Sequence, residues 1–219
     1  MLRRFTDYLI LLAVLLAMVL LFGLLRDTFW SFATLGNVAN RIPALALVAT
    51  GMTLVMITGG IDLSVGSLLG FCGAVVGVAM VDLQLGLFTA LLLSLALGGV
   101  LGGGTGFVSV KFRLPSFIVS LGMLEMVRGL AYKLTESKTK YIGAAIEPLG
   151  APFGGLVISP AFVVSVLVVI AGQVLLSHTA LGRHFIAIGA NREAALVSGV
   201  PVDRPRILAH AMLGALTGL

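Results

Sequence analysis

Long uncharged runs divide this sequence, each close to the length a helix needs to cross a bilayer. They are Tyr8–Leu25, Ile42–Ile61, Leu63–Val81, Leu83–Val110 and Leu156–Leu176, with a last run opening at Ile207 and reaching Leu219. A helix rises 1.5 Å per residue, so about 30 Å of hydrocarbon takes about 20 apolar residues. A further stretch, Leu114–Tyr132, has the length but is interrupted by Glu125 and Arg128. The pattern predicts an all-α, polytopic transmembrane helical bundle forming a single domain over 1–219. It gives six full spans, the start of a seventh, and a helix broken near Asp62.

Composition agrees with hydrocarbon as the main solvent. The 219 residues are 59% hydrophobic and 11% charged, against roughly 25% charged in an ordinary soluble domain, and mean hydropathy is +1.14. The net charge of +5 does not read as a nucleic-acid footprint, because the basic residues fall between the apolar runs rather than along one face. They act as topology determinants. Threading the spans alternately from a cytoplasmic N-terminus puts Arg3, Arg4, Lys111, Arg113, Arg183, Arg192, Arg204 and Arg206 inside and Arg26, Arg41, Lys133, Lys138 and Lys140 outside. The positive-inside rule favours that orientation. The first run is longer than the usual signal-peptide core of about 7–15 residues and lacks a small-x-small cleavage pattern, so it is expected to remain as an uncleaved span. The single cysteine, Cys72, lies in an apolar run and reads as a small buried side chain. Neither a disulfide framework nor metal-ligand spacing is present.

Glycines recur every four residues within the spans, at Gly66 and Gly70, Gly73 and Gly77, then Gly98, Gly102 and Gly106. Such faces let helix backbones approach in lipid, where apolar burial does not drive association. Catalytic motifs are missing from the sequence. It contains no Gly-Lys pair and therefore no phosphate loop of the GxxxxGK[ST] type, no HExxH, and only the scattered histidines His178, His184 and His210. Catalysis and a cofactor are not expected on this chain, and any ATP hydrolysis must come from a partner.

Two polar sites interrupt the apolar pattern. In Thr58-Gly59-Gly60-Ile61-Asp62-Leu63-Ser64 one carboxylate stands between two apolar runs with hardly a loop around it. A charge at membrane depth costs about 2.5–3.5 kcal/mol on insertion scales and tends to face a cavity or a partner. Asp62 and Ser64 are expected to cap backbone N–H groups of a broken or sharply turned helix. A structural cap at a cytoplasmic turn and a place on a translocation path remain alternatives for Asp62, Ser64 and Thr58. Glu125 and Arg128, three residues apart, share a helix face and are expected to neutralise each other inside the membrane. A structural pair is the plainer reading and a substrate contact the sharper one. Thr53, Thr58, Ser64, Ser67, Ser116 and Ser120 could offer hydroxyls to a polar solute, although Ser and Thr commonly bond their own helix backbone.

The polar stretch His178 to Arg206 carries helix signals of its own. Asn191 is a good N-cap, Glu193 suits the positive end of a helix, Gly199 a left-handed C-terminal position, and Pro201 blocks continuation. These predict a two-turn helix, Arg192–Ser198, with Ala194, Ala195 and Ser198 forming a small-residue surface for docking. Composition alone favours a solvated loop.

The run from Gly51-Met52-Thr53-Leu54-Val55 to Gly59-Gly60-Ile61-Asp62-Leu63-Ser64-Val65-Gly66, with Leu114-Pro115-Ser116-Phe117-Ile118-Val119-Ser120-Leu121-Gly122, resembles the ribose-type monosaccharide ABC importer permeases. So do Thr179-Ala180-Leu181-Gly182-Arg183, Ala187-Ile188-Gly189-Ala190-Asn191, Ala194-Ala195 and Ser198-Gly199-Val200. The resemblance implies a bacterial inner-membrane permease for a pentose or hexose, working with cytoplasmic ATP-binding subunits, a second permease subunit, identical or related, and a periplasmic sugar-binding protein. It also implies that the short cytoplasmic helix docks on the ATPase through Gly189, Asn191, Glu193, Ala194, Ala195, Ser198 and Gly199. The family pattern carries further spans beyond Leu219, so the permease domain is expected to be incomplete at its C-terminus. An ion-coupled secondary transporter or channel, with Asp62 or Glu125 as its coupling carboxylate, is the competing reading. A truncated membrane protein that does not transport is a third. The identity of the sugar is not written in these residues.

Overall fold

The computed structural model describes residues 2–152 and 158–219, and among them every regular element is helical. In chain order these are α1 (Leu2–Leu25), α2 (Phe32–Ala39), α3 (Ile42–Ile57), α4 (Val65–Val81), α5 (Leu87–Lys111), α6 (Ser116–Thr135), the single turn α7 (Glu147–Gly150), α8 (Pro160–His178), α9 (Ala180–Ala190), α10 (Arg192–Val197) and α11 (Asp203–Thr217). Stretches Phe32–Ile57, Leu87–Lys111 and Pro160–His178 are long and apolar enough to cross a membrane, while Leu9–Leu25 and Val65–Val81 are apolar but shorter. Leucine, valine and isoleucine side chains lie exposed along α1 and α8, including Leu11, Leu15, Leu167 and Ile170. A helix that shows apolar groups outward while satisfying its own backbone hydrogen bonds is built for lipid.

Boundaries shift where local chemistry intervenes. The run beginning at Leu83 becomes helical only at Leu87, because Gln84 takes a left-handed conformation (φ 56°) and turns the chain. The run beginning at Leu156 starts partly outside the described residues; its helix opens at Pro160, where the Ser159 hydroxyl accepts the N–H of Phe162 at 3.3 Å. The polar stretch after α8 holds one helix more than expected. Thr179 caps α9 by accepting the N–H of Gly182 at 3.1 Å, and Leu181, Phe185 and Ile188 fall on the face that turns inward.

At the centre of the bundle α11 lies along α5 and α3. The glycine face of α5 explains how close that packing is. A Cβ at Gly98 would overlap the carbonyl of Gly214, and one at Gly102 the carbonyl of His210. A Cβ at Gly106 would lie 2.9 Å from the Cα of Ile207. Gly214 answers from the other side, against the carbonyl of Gly98. The α5 stripe is therefore a helix-packing surface, as its spacing suggests. The α4 stripe differs from that expectation: Cβ atoms at Gly66, Gly70 and Gly73 would meet nothing within 4 Å, and Gly77 abuts Lys140 rather than a helix. Cys72 is buried, as its apolar setting implies, beside Ser94 of α5.

Two long-range contacts agree with the alternating threading. Lys140 Nζ reaches both carboxylate oxygens of Asp82, at 2.8 and 2.6 Å, joining the loop after α6 to the end of α4. At the opposite ends, the polar loop after α8 lies against the end of α3.

Candidate functional site

The chain is unwound between α3 and α4. Gly59 takes φ +78°, and residues 60–64 form no regular element before Val65 opens the next helix, with Ser64 already in the right-handed helical region. Asp62, 2% exposed, is held by its own turn: its Oδ1 accepts the Ser64 N–H at 2.9 Å and the Ser64 hydroxyl at 2.6 Å. The Thr58 hydroxyl donates back to the Val55 carbonyl at 2.8 Å. All three residues are buried, with their named polar atoms engaged inside the turn. The capping expected of Asp62 is present, while Ser64 serves as donor to Asp62 rather than as an independent cap.

The same segment is tied to α6 by two hydroxyls. Ser116 Oγ accepts the Ile61 N–H at 2.9 Å and donates to the Ile61 carbonyl at 3.0 Å, and Ser120 Oγ accepts the Leu63 N–H at 3.0 Å. Buried backbone outside a helix must find partners for its polar groups. Here side chains of a neighbouring helix supply them. On the far side His210 of α11 packs its ring against Gly60, where a Cβ would lie 3.3 Å from Cε1. Its Nδ1 lies 2.9 Å from the Arg206 carbonyl.

Further along α6, Arg128 and Glu125 form the ion pair their spacing predicts, at 3.1 Å. They are not, however, inside the bundle: the side chains are 51% and 68% exposed. A charged pair on the outer face of a span is costly against lipid, so that face belongs against water or another protein. Beside it an open groove of about 370 Å³ runs between α4 and α6, lined by Leu63, Ser67, Gly70, Arg128 and Tyr132 among others. Gly66 and Gly70, two of the bare α4 glycines, line it as well.

The short helix α10 has the caps that the sequence signals. Asn191 Oδ1 accepts the Ala194 N–H at 3.0 Å, Glu193 lies in the first turn, and Gly199 is left-handed at φ +80°. It ends at Val197, one residue before the expected Ser198. Its surface is arranged differently from the sequence expectation. Ala195 is buried against Ile188 and Val202 and so is not on an outer surface, whereas Ala194 and Ser198 are. The outward groups that sequence reasoning passed over are Leu196, 65% exposed, and Val197, 90% exposed. Their signal was an apolar pair at the end of a polar helix. Gly189 also has a different place, since a Cβ there would overlap the carbonyl of Ile57, which makes it the point where α9 leans on α3.

Residues 34–219 match the family model described as the branched-chain amino acid transport system permease component. The chain belongs to this permease family. It is 33% identical over 215 residues to the ribose import permease protein RbsC of Escherichia coli (strain K12), covering 95% of this chain and 66% of the relative. To the autoinducer 2 import system permease protein LsrC of Enterobacter sp. (strain 638) it is 36% identical over 215 residues, covering 95% and 62%. The corresponding LsrC of Yersinia pseudotuberculosis serotype O:3 (strain YPIII) is 36% identical over 209 residues, with 95% and 59% covered. The chain thus spans less than two thirds of the length of these curated relatives. No solved structure matches it. Family membership and the apolar helices together make it a multi-pass membrane protein.

Proposed function

We propose that the protein is the membrane-spanning permease subunit of an ATP-driven importer carrying a monosaccharide across the bacterial inner membrane, with its N-terminus in the cytoplasm. Its partners in this reading are cytoplasmic ATP-binding subunits, a second permease subunit and a periplasmic sugar-binding protein. The observation that carries the reading is α10: a capped, rigid helix between two apolar runs, presenting Leu196 and Val197 to the outside, 65% and 90% exposed. Exposed apolar anchors of this kind are what a partner protein buries. The sugar would pass along the α4–α6 groove, where Arg128 and Ser67 offer charged and hydroxyl partners to its hydroxyl groups, with Glu125 paired to Arg128 beside it. Asp62, Ser64 and Thr58 would shape that path from behind by fixing the unwound segment, rather than by touching the solute. A monosaccharide is proposed because ribose is the solute in one relative's name.

The docking half of this reading is tested by Val197→Glu in the assembled transporter. Burying an unpaired carboxylate in the docking cleft should reduce the ATPase recovered with the permease about tenfold or more. Recovery equal to wild type would contradict the assignment.

A further inference from the structure

We propose that the unwound segment 58–64 carries closure of the docked ATPase to the α4–α6 groove, and that Ser116 and Ser120 are the positioning residues that make it do so. This rests on the importer reading above. At the input end, α10 and α9 move as one piece, since Ile188, Ala195 and Val202 form a shared buried cluster. Phe185 of α9 is buried among Leu54 and Val55 of α3, and Gly189 lies against the Ile57 carbonyl with no room for a Cβ. A displacement of α9 therefore presses on the last turn of α3, where the helix gives way to the unwound segment. Close-packed contacts of this kind transmit movement because there is no void to absorb it.

At the output end two serines of α6 hold two points of the unwound segment. Positions 116 and 120 are one helical step of four apart, about 6 Å along α6 at 1.5 Å per residue. Positions 61 and 63 are two residues apart on the non-helical stretch between α3 and α4, so their backbone N–H groups are not taken up by a helix. Both hydroxyls bond the segment at once. Sliding the segment by one residue would present the wrong backbone groups to both serines, so its position is fixed against α6. Leu63, held by Ser120, lines the groove, and α6 carries Arg128 on the same groove. The route from α10 to the path thus runs through Gly189, Ile57, the unwound segment and two hydroxyls.

The test uses the whole permease assembled with its ATPase subunits and binding protein in liposomes, reading sugar uptake and ATP hydrolysis in the same vesicles. In the double variant Ser116→Ala/Ser120→Ala, hydrolysis should continue while sugar carried per ATP falls about tenfold, the scale of a typical coupling energy between sites. Replacing both by Thr, which keeps the hydroxyls, should restore the ratio. Ser165→Ala in α8, whose buried hydroxyl bonds the Phe162 carbonyl of its own helix, should leave it unchanged. If the double variant does not assemble, Ser120→Ala alone must show the same fall in smaller measure. An unchanged ratio, or uptake and hydrolysis falling in proportion, overturns the relay while leaving the importer reading intact. Wild-type vesicles whose uptake is independent of ATP would remove both.

Discussion

At the scale of single residues, Asp62 has its charge engaged. A buried carboxylate accepting a backbone N–H and a hydroxyl is stabilised by charge-assisted bonds, and losing both leaves the Ser64 donors unpaired. Asp62→Ala should therefore lower stability by about 2 kcal/mol, whereas Asp62→Asn, which keeps an acceptor oxygen, should cost much less. Thermal unfolding of the detergent-solubilised protein reads the difference, and equal losses from the two substitutions would speak against the turn as described. This cap could be read from the sequence because its two partners are two positions apart. The ties to Ser116 and Ser120 could not, since 55 and 57 residues separate the groups and no local pattern links a serine on one helix to a backbone N–H on another segment.

At the scale of elements, the two glycine stripes look alike in the sequence and behave differently in the fold. Gly102 of α5 has α11 against it, so Gly102→Ala drives a methyl group into the His210 carbonyl and should destabilise by about 1–3 kcal/mol, as overpacking does. Gly70→Ala of α4 meets open space and should change stability by less than about 0.5 kcal/mol. Comparing unfolding midpoints of the two variants checks both statements. A period of four glycines identifies a surface on which a backbone can be approached; which neighbour uses it is decided by tertiary arrangement. The helix α9 was legible in principle, from the Thr179 cap and the apolar positions 181, 185 and 188, but the surrounding charge made the stretch read as a loop. Burial on α10 was missed for a related reason. Six residues are too few for periodicity to say whether Ala195 or Val197 faces inward, and only the seat on Ile188 and Val202 decides it.

At the scale of the whole molecule, the apolar runs pointed to an all-helical membrane bundle, because in hydrocarbon a segment has few options besides a helix that satisfies its own backbone, but of the six full spans they suggested three described stretches are long and apolar enough to cross. What each helix faces is a separate matter. The charged pair on α6 has the spacing of a buried structural bridge, yet it stands beside a groove on the outer face of that helix. The claim on which the account depends is that transport is powered through α10 by a separate ATPase. Its most direct measurement is sugar uptake into liposomes under two conditions: the permease with ATPase subunits and binding protein, supplied with ATP on the ATPase side, and the permease alone under a proton or sodium gradient. The account predicts uptake in the first and none in the second. Uptake by the permease alone, driven by the ion gradient and indifferent to ATP, would contradict it.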